Sequence, residues 1–165
     1  MKGMGGGMAG AGGGQAPVYA PPAKDSKVLK VHRGYEQTGR EKAAKVVVDV
    51  DGFTVYNALL TQTSLGGSGV NRFYSIQLLR LKTPYNRYEV FCHDGRIGRA
   101  WEDETRHHVA SKNHREYEHG TMGEGIADFK KWFLKKTGNE WDRRHAFKGA
   151  SSSYIFQSIF SLCSV

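Results

Sequence analysis

Arg72-Phe73-Tyr74-Ser75-Ile76-Gln77-Leu78-Leu79-Arg80-Leu81 is the stretch on which the fold turns. Tyr74, Ile76 and Leu78 alternate with Ser75 and Gln77, a period of two that sends the two sets to opposite faces of a strand. Thr83-Pro84-Tyr85-Asn86 then reads as a turn, because proline presets φ and asparagine tolerates left-handed backbone. Arg87 to His93 alternates again, with Tyr88 and Val90 on one side. Asp94-Gly95 is a favoured two-residue hairpin pair, since both central positions of that turn take positive φ. This predicts a turn at Asp94-Gly95 and a third strand over Arg96 to Trp101.

Working outward, Val46-Val47-Val48-Asp49-Val50 is a β-branched run and predicts a strand. Val55 to Thr63 is left open, and Ser64 to Gly69 reads as a glycine-rich loop. Residues 102–120 are polar and carry four histidines, which predicts an exposed loop. Thr121 with Glu124 three positions on forms a capping box, so a helix should follow. Ile126, Phe129 and Phe133 give it an apolar stripe. Lys135 and Lys136 suit the negative end of the helix dipole, and Gly138 suits a left-handed stop. Tyr154 to Phe160 is apolar enough for a last strand. The predicted fold class is α+β, an antiparallel β-sheet with one main helix packed on a face.

A chain of 165 residues accommodates one domain, and 39% hydrophobic with 12% aromatic residues allow a modest core. Eight of the first fourteen residues are glycine, followed by an Ala/Pro-rich stretch to residue 24. Such a segment cannot bury enough surface to offset its ordering entropy. Residues 25–45 add lysines and arginines without periodicity, and read as a nucleic-acid-binding arm or a solubilising linker. The expected division is a Gly/Pro-rich and basic disordered tail over 1–45, a domain over 46–160 and a C-terminal end over 161–165. Residues 1–45 carry eight Lys/Arg against three Asp/Glu, and the whole chain is at +8 with a pI near 9.5. That balance fits a polyanion partner, or a soluble protein with a basic tail.

Cys92 and Cys163 are too few for a disulfide framework or a zinc-finger ligand set, which suggests a reducing, intracellular setting. No run approaches the ~20 apolar residues that span a membrane, and the amino terminus lacks the apolar core of a signal peptide.

The Asp94-Gly95-Arg96 turn is the leading candidate for chemistry. Gly95 lets a partner approach the backbone, while Arg96 and Arg99 project guanidiniums whose planar fork matches phosphate. The competing reading is an ordinary turn flanked by solvated arginines. His107, His108, His114 and His119 have ligand chemistry for zinc, but no regular ligand register, so a solvated loop is preferred and no metal is expected. Cys92-His93-Asp94 invites a nucleophile reading, against which sequence neighbours on a strand face opposite ways. Lys130, Lys131, Lys135 and Lys136 read as a solvated helix face, and Phe129, Trp132, Phe133 and Trp141 as core.

Three motifs in order extend this reading: Tyr56-Asn57-Ala58-Leu59-Leu60-Thr61-Gln62-Thr63, then Phe73-Tyr74-Ser75-Ile76-Gln77-Leu78-Leu79, then Lys136-Thr137-Gly138-Asn139-Glu140-Trp141. With Asp94-Gly95-Arg96 between the second and third, the chain resembles the WGR module of the DNA-damage-activated poly(ADP-ribose) polymerases. The resemblance implies a non-catalytic module that binds DNA strand-break ends and relays that event to an ADP-ribosyltransferase domain, in cis or in trans, in the nucleus. Asn71, Arg72, Gly95, Arg96, Arg99 and Tyr154 inherit nucleic-acid contacts from it. The name-giving tryptophan falls on Asp94, which removes an aromatic platform and adds a carboxylate. A protein-interaction module that keeps the fold without DNA-end recognition is therefore the alternative. No residue is assigned to ADP-ribosyl transfer, because a chain stopping at Val165 leaves no room for the family's NAD-binding domain, and no cofactor is expected.

Overall fold

The computed structural model describes residues 21, 23–24, 26–63, 71–96, 114–149 and 154–157. Among these residues, six strands form one antiparallel sheet: β1 (Ala44–Val46), β2 (Asn57–Thr63), β3 (Asn71–Leu81), β4 (Arg87–Arg96), β5 (His114–His119) and β6 (Ile155–Gln157). Their order is β5-β4-β3-β2-β6, with β1 pairing the far end of β3 beyond β2. One α-helix, α1 (Met122–Thr137), packs on one face. The α+β expectation holds, and the alternating stretch Arg72 to Leu81 lies in β3, which is the central strand of the sheet.

The helix follows its local code. Thr121 Oγ1 accepts the Glu124 amide while the Glu124 carboxylate accepts the Thr121 amide at 3.0 Å, closing the capping box. Gly138 ends the helix at φ 69° and donates its amide to the Leu134 carbonyl at 2.7 Å. Phe129 and Phe133 are fully buried. Trp141 meets both edge-on, at ring-centroid distances of 4.9 and 5.0 Å. The helix crosses β3 closely at Gly125, where a Cβ would lie 2.7 Å from Leu78 Cδ1. Truncating one of these phenylalanines costs about 3–5 kcal/mol in a typical core.

The opposite face is covered by residues 26–46. Short 3-10 helices at Lys27–Leu29 and Arg33–Thr38 lead into β1. Val28, Tyr35, Ala44 and Val46 then bury against Leu79, Leu81 and Phe91. Instead of a linker or arm, this segment is a strap across the sheet. Its attachment is largely polar: the Gln77 side chain accepts the His32 amide at 2.7 Å and donates to the Lys30 carbonyl at 2.9 Å. Glu89, fully buried, accepts from Tyr35 Oη at 2.6 Å, from Arg40 at 3.1 Å and from Arg87 at 2.9 Å. A buried carboxylate is tolerated only when paired in this way.

Two local expectations change, and one open reading is settled. Asp94, Gly95 and Arg96 are not a hairpin turn but the last residues of β4, opposite Tyr74, Phe73 and Arg72. Gly95 is required by contact rather than by positive φ, since a Cβ there would stand 2.6 Å from the Phe73 ring. Residues 114–119, expected in a loop, form edge strand β5 along Tyr88–His93. Its charged side chains suit an edge that must resist further pairing. Val55 to Thr63 resolves as strand β2 preceded by an isolated Val48–Val55 bridge. Ser64 to Gly69, Arg99 and Trp101 lie outside the described residues.

Candidate nucleic-acid interface

Register brings most of the expected contact residues to one end of the sheet. Arg96 on β4 pairs with Arg72 on β3, which pairs with Gln62 on β2. Thr61 pairs with Ile155, so Tyr154, one residue earlier, falls at the level of Gln62. Asn71 begins β3 beside this row, opposite Thr63. Strands β3 and β4 and the residue leading into β6 thus deliver Asn71, Arg72, Gly95, Arg96 and Tyr154 to one tip. Of the expected residues, only Arg99 lies outside the described residues.

The tip is charged, and its charges answer one another. Alternation puts Asp94 on the α1 side of the sheet with Cys92 and Val90, opposite Tyr74. Arg72 Nη2 donates to the Asp94 carboxylate at 3.5 Å, the arginine side chain 45% and the aspartate 24% exposed. Lys136 Nζ lies 4.0 Å from the Tyr74 ring centroid and 6.0 Å from that of Tyr154, whose two rings are 5.9 Å apart. Burial holds the Lys136 ammonium below the usual lysine value, and the Asp94 carboxylate pushes it back up. Burial likewise raises the Tyr154 phenol, with Arg72 opposing and Asp94 reinforcing. Arg115, on β5, is raised chiefly by its hydrogen bond with Tyr117, with the Asp94 carboxylate a minor contribution. The result is one carboxylate among three cations, Arg72, Lys136 and Arg115, beside two tyrosine rings.

Sequence reasoning missed Lys136, Arg115 and Tyr74 as tip residues. Lys136 read as part of a solvated face, yet of the four helix lysines only it reaches Tyr74. Lys130 pairs with Asp142 at 2.8 Å, and Lys135 lies over Trp132 at 4.7 Å. The signal for Lys136 was its place in the last turn of a helix whose stop was already legible. Arg115 carried none, because its strand was not recognised.

The other candidates separate. His93 points away from Cys92 and Asp94, into a cluster with His32 and Phe73 at ring-centroid distances of 4.8 and 5.4 Å. Cys92 is buried on the helix side, its thiol pushed up to about 11 by burial, which disfavours the thiolate a nucleophile needs. His119 pairs with Asp128 at 3.3 Å, and His114 stands 3.7 Å from Glu116. Among the described residues, no group of three His, Cys, Asp or Glu side chains is arranged to hold a metal. His107 and His108 lie outside the described residues.

The family model of the WGR domain matches residues 56–148, more than half of the chain. The chain belongs to the WGR domain family. It is 30% identical over 113 residues to human poly(ADP-ribose) polymerase 2, a match covering 68% of this chain and 17% of that protein. It is also 30% identical over 101 residues to the mouse protein mono-ADP-ribosyltransferase PARP3, covering 60% of this chain and 16% of that protein. The match therefore spans about a sixth of each relative, the part that carries the WGR domain. Within the matched range, Asp94-Gly95-Arg96 stands where the family's Trp-Gly-Arg is expected. The strap residues 26–46 and Tyr154 lie outside that range. Among the described residues, no helix is long and apolar enough to cross a membrane.

Proposed function

We propose that this WGR domain is a non-catalytic module that binds DNA strand-break ends at the sheet tip. It relays that binding to an ADP-ribosyltransferase domain, in cis or in trans, in the nucleus. The observation that carries the reading is the single row Arg96–Arg72–Gln62–Tyr154, joined by Asn71 at one end of the sheet. An interrupted duplex presents a terminal phosphate, and such a row of donors suits it. Fluorescence anisotropy with a 5′-phosphorylated nicked duplex tests this. Arg96→Ala is expected to weaken binding about 10- to 100-fold, the worth of a charge-assisted hydrogen bond. Lys24→Ala, in the tail, should change it far less. Equal effects from the two substitutions sink the reading.

One contact favours a second reading, a protein-interaction module of the same fold. The Arg72–Asp94 pair puts a carboxylate where a phosphate would sit, and it stands in place of a stacking ring worth about 1–3 kcal/mol per base. Asp94→Trp separates the two. A large gain in nick affinity marks a DNA site weakened by Asp94, whereas no gain moves recognition to another surface.

A further inference from the structure

At the far end of β3 from the tip, about 27 Å along the strand at ~3.4 Å per residue, the surface gathers cations again. Lys45 on β1 is the register partner of Arg80 on β3, and both are exposed. Directly opposed like charges on a sheet repel and destabilise the pair. The fold does not impose them: Ala44 and Val46 turn into the core on either side of Lys45, as Leu79 and Leu81 do around Arg80. Only the outward position is fixed, and a neutral or acidic residue would fit it. Arg80 opens onto a cleft of about 310 Å³, which is also lined by Lys82, Asn86, Arg87 and Tyr88.

The charge of this cleft is compensated only at one arginine. Arg87 is neutralised by Glu89 at 2.8 Å and Glu118 at 2.7 Å. Lys45, Arg80 and Lys82 have no ion-pair partner among the described residues. We propose that this cleft is a second anion site of the domain, one that takes backbone phosphates of duplex nucleic acid and is independent of strand ends. Three neighbouring cations suit a ligand with closely repeated negative charge, and duplex DNA carries one per ~1.7 Å of axis. Asn86 and the phenol of Tyr88 add neutral hydrogen-bonding groups beside them.

The test uses the full chain and a duplex sealed at both ends by hairpin loops, which offers backbone but no break. Its affinity is measured by fluorescence anisotropy across salt concentrations and compared with that of a nicked duplex. Arg80→Gln/Lys82→Gln should lower the slope of log affinity against log salt by about 1.8, some 0.9 for each phosphate no longer neutralised. At low salt the affinity should fall about tenfold or more, by the same factor for both duplexes. An unchanged slope and affinity overturn the proposal, as does a parent chain that binds poly-glutamate but not the sealed duplex. If the parent shows no preference for the nick, the tip reading fails while the cleft stands. If the double variant melts earlier than the parent, Lys45→Gln, expected to remove about half as much slope, takes its place.

Discussion

The two faces of the sheet are built by different physics. On the helix side, Phe129, Phe133, Trp141, Tyr56 and Phe156 pack edge to face, and nearly every contact is apolar or aromatic. On the strap side, a smaller apolar cluster shares the surface with a buried carboxylate, a buried amide and a row of histidine rings. The helix face forms from residues whose pattern already contains the answer. The strap face forms because particular polar groups find particular partners some 50 residues away.

The largest expected effect comes from removing the strap. A chain beginning at residue 44 loses Val28 and Tyr35 from the second cluster and exposes Leu79 and Phe91. It also deprives the buried Glu89 of Tyr35 and Arg40, leaving only Arg87. Stripping partners from a buried charge costs about 3–5 kcal/mol, before the lost burial is added. Since small domains are stable by about 5–15 kcal/mol, this chain should unfold or aggregate, which near-ultraviolet circular dichroism would report. A cooperative melt close to that of the full chain would make the strap dispensable and reduce the contrast between faces to decoration.

That contrast also explains what the sequence disclosed. The alternation in β3, the capping box at Thr121 and the glycine stop at Gly138 are local, and each could be read from a few neighbouring residues. Asn71, Arg72, Arg96 and Tyr154 were reached only through the family resemblance that the motifs around Asn57, Phe73 and Gly138 carry, while Lys136, Arg115 and Tyr74 were not reached at all. The strap was hidden because its anchors, Gln77 and Glu89, are polar residues inside strands, and their partners at Lys30, His32, Tyr35 and Arg40 follow no period. Strand β5 was hidden for a related reason. His114, Glu116 and Glu118 face the strap side and Arg115, Tyr117 and His119 face the helix, so both faces of the strand are polar or amphipathic. Glu116 pairs with Arg40 and Glu118 with Arg87, which satisfies charges that in isolation suggested a loop. The turn at Asp94-Gly95 was misread because a hairpin dipeptide and a glycine beneath an aromatic ring look the same in one dimension. Only the Phe73 ring opposite Gly95 decides between them.

A smaller effect should follow from pH on the strap side. Burial, with His93 second, lowers His32 to about 4, and burial also lowers His93. His32 Nδ1 accepts the Gly34 amide at 3.0 Å, a bond that a proton on that nitrogen would abolish. The folded state therefore prefers both rings neutral, while the unfolded chain takes up protons near 6.5. Stability contributed by the neutral rings is present above that pH and is lost as pH falls from about 6.5 towards 4. A loss of about 1–2 kcal/mol across this window is expected, less than the full linkage because the rings are half-buried. Melting temperatures of the parent and His32→Asn at pH 7 and 4.5 check it. Asparagine retains an oxygen to accept the Gly34 amide but does not titrate, so the variant should lose distinctly less on acidification. Equal losses would place the sensitivity elsewhere.

The smallest effect probes the helix face and asks whether the two faces melt as one. Thr121→Ala removes the side-chain acceptor for the Glu124 amide and half of the reciprocal box, at a cost of about 1 kcal/mol. Thr121 is exposed and contacts nothing on the strap, so any change there must be transmitted by the sheet. Hydrogen exchange of backbone amides resolves the question. If protection falls by the same factor at Phe133 and at Tyr35, both open only in the global transition, and the different chemistries serve one cooperative unit. Protection lost at Phe133 but kept at Tyr35 would mean that α1 detaches while the polar face holds. The tip would then lose Lys136 without losing Arg72, because one rides on the helix and the other on β3.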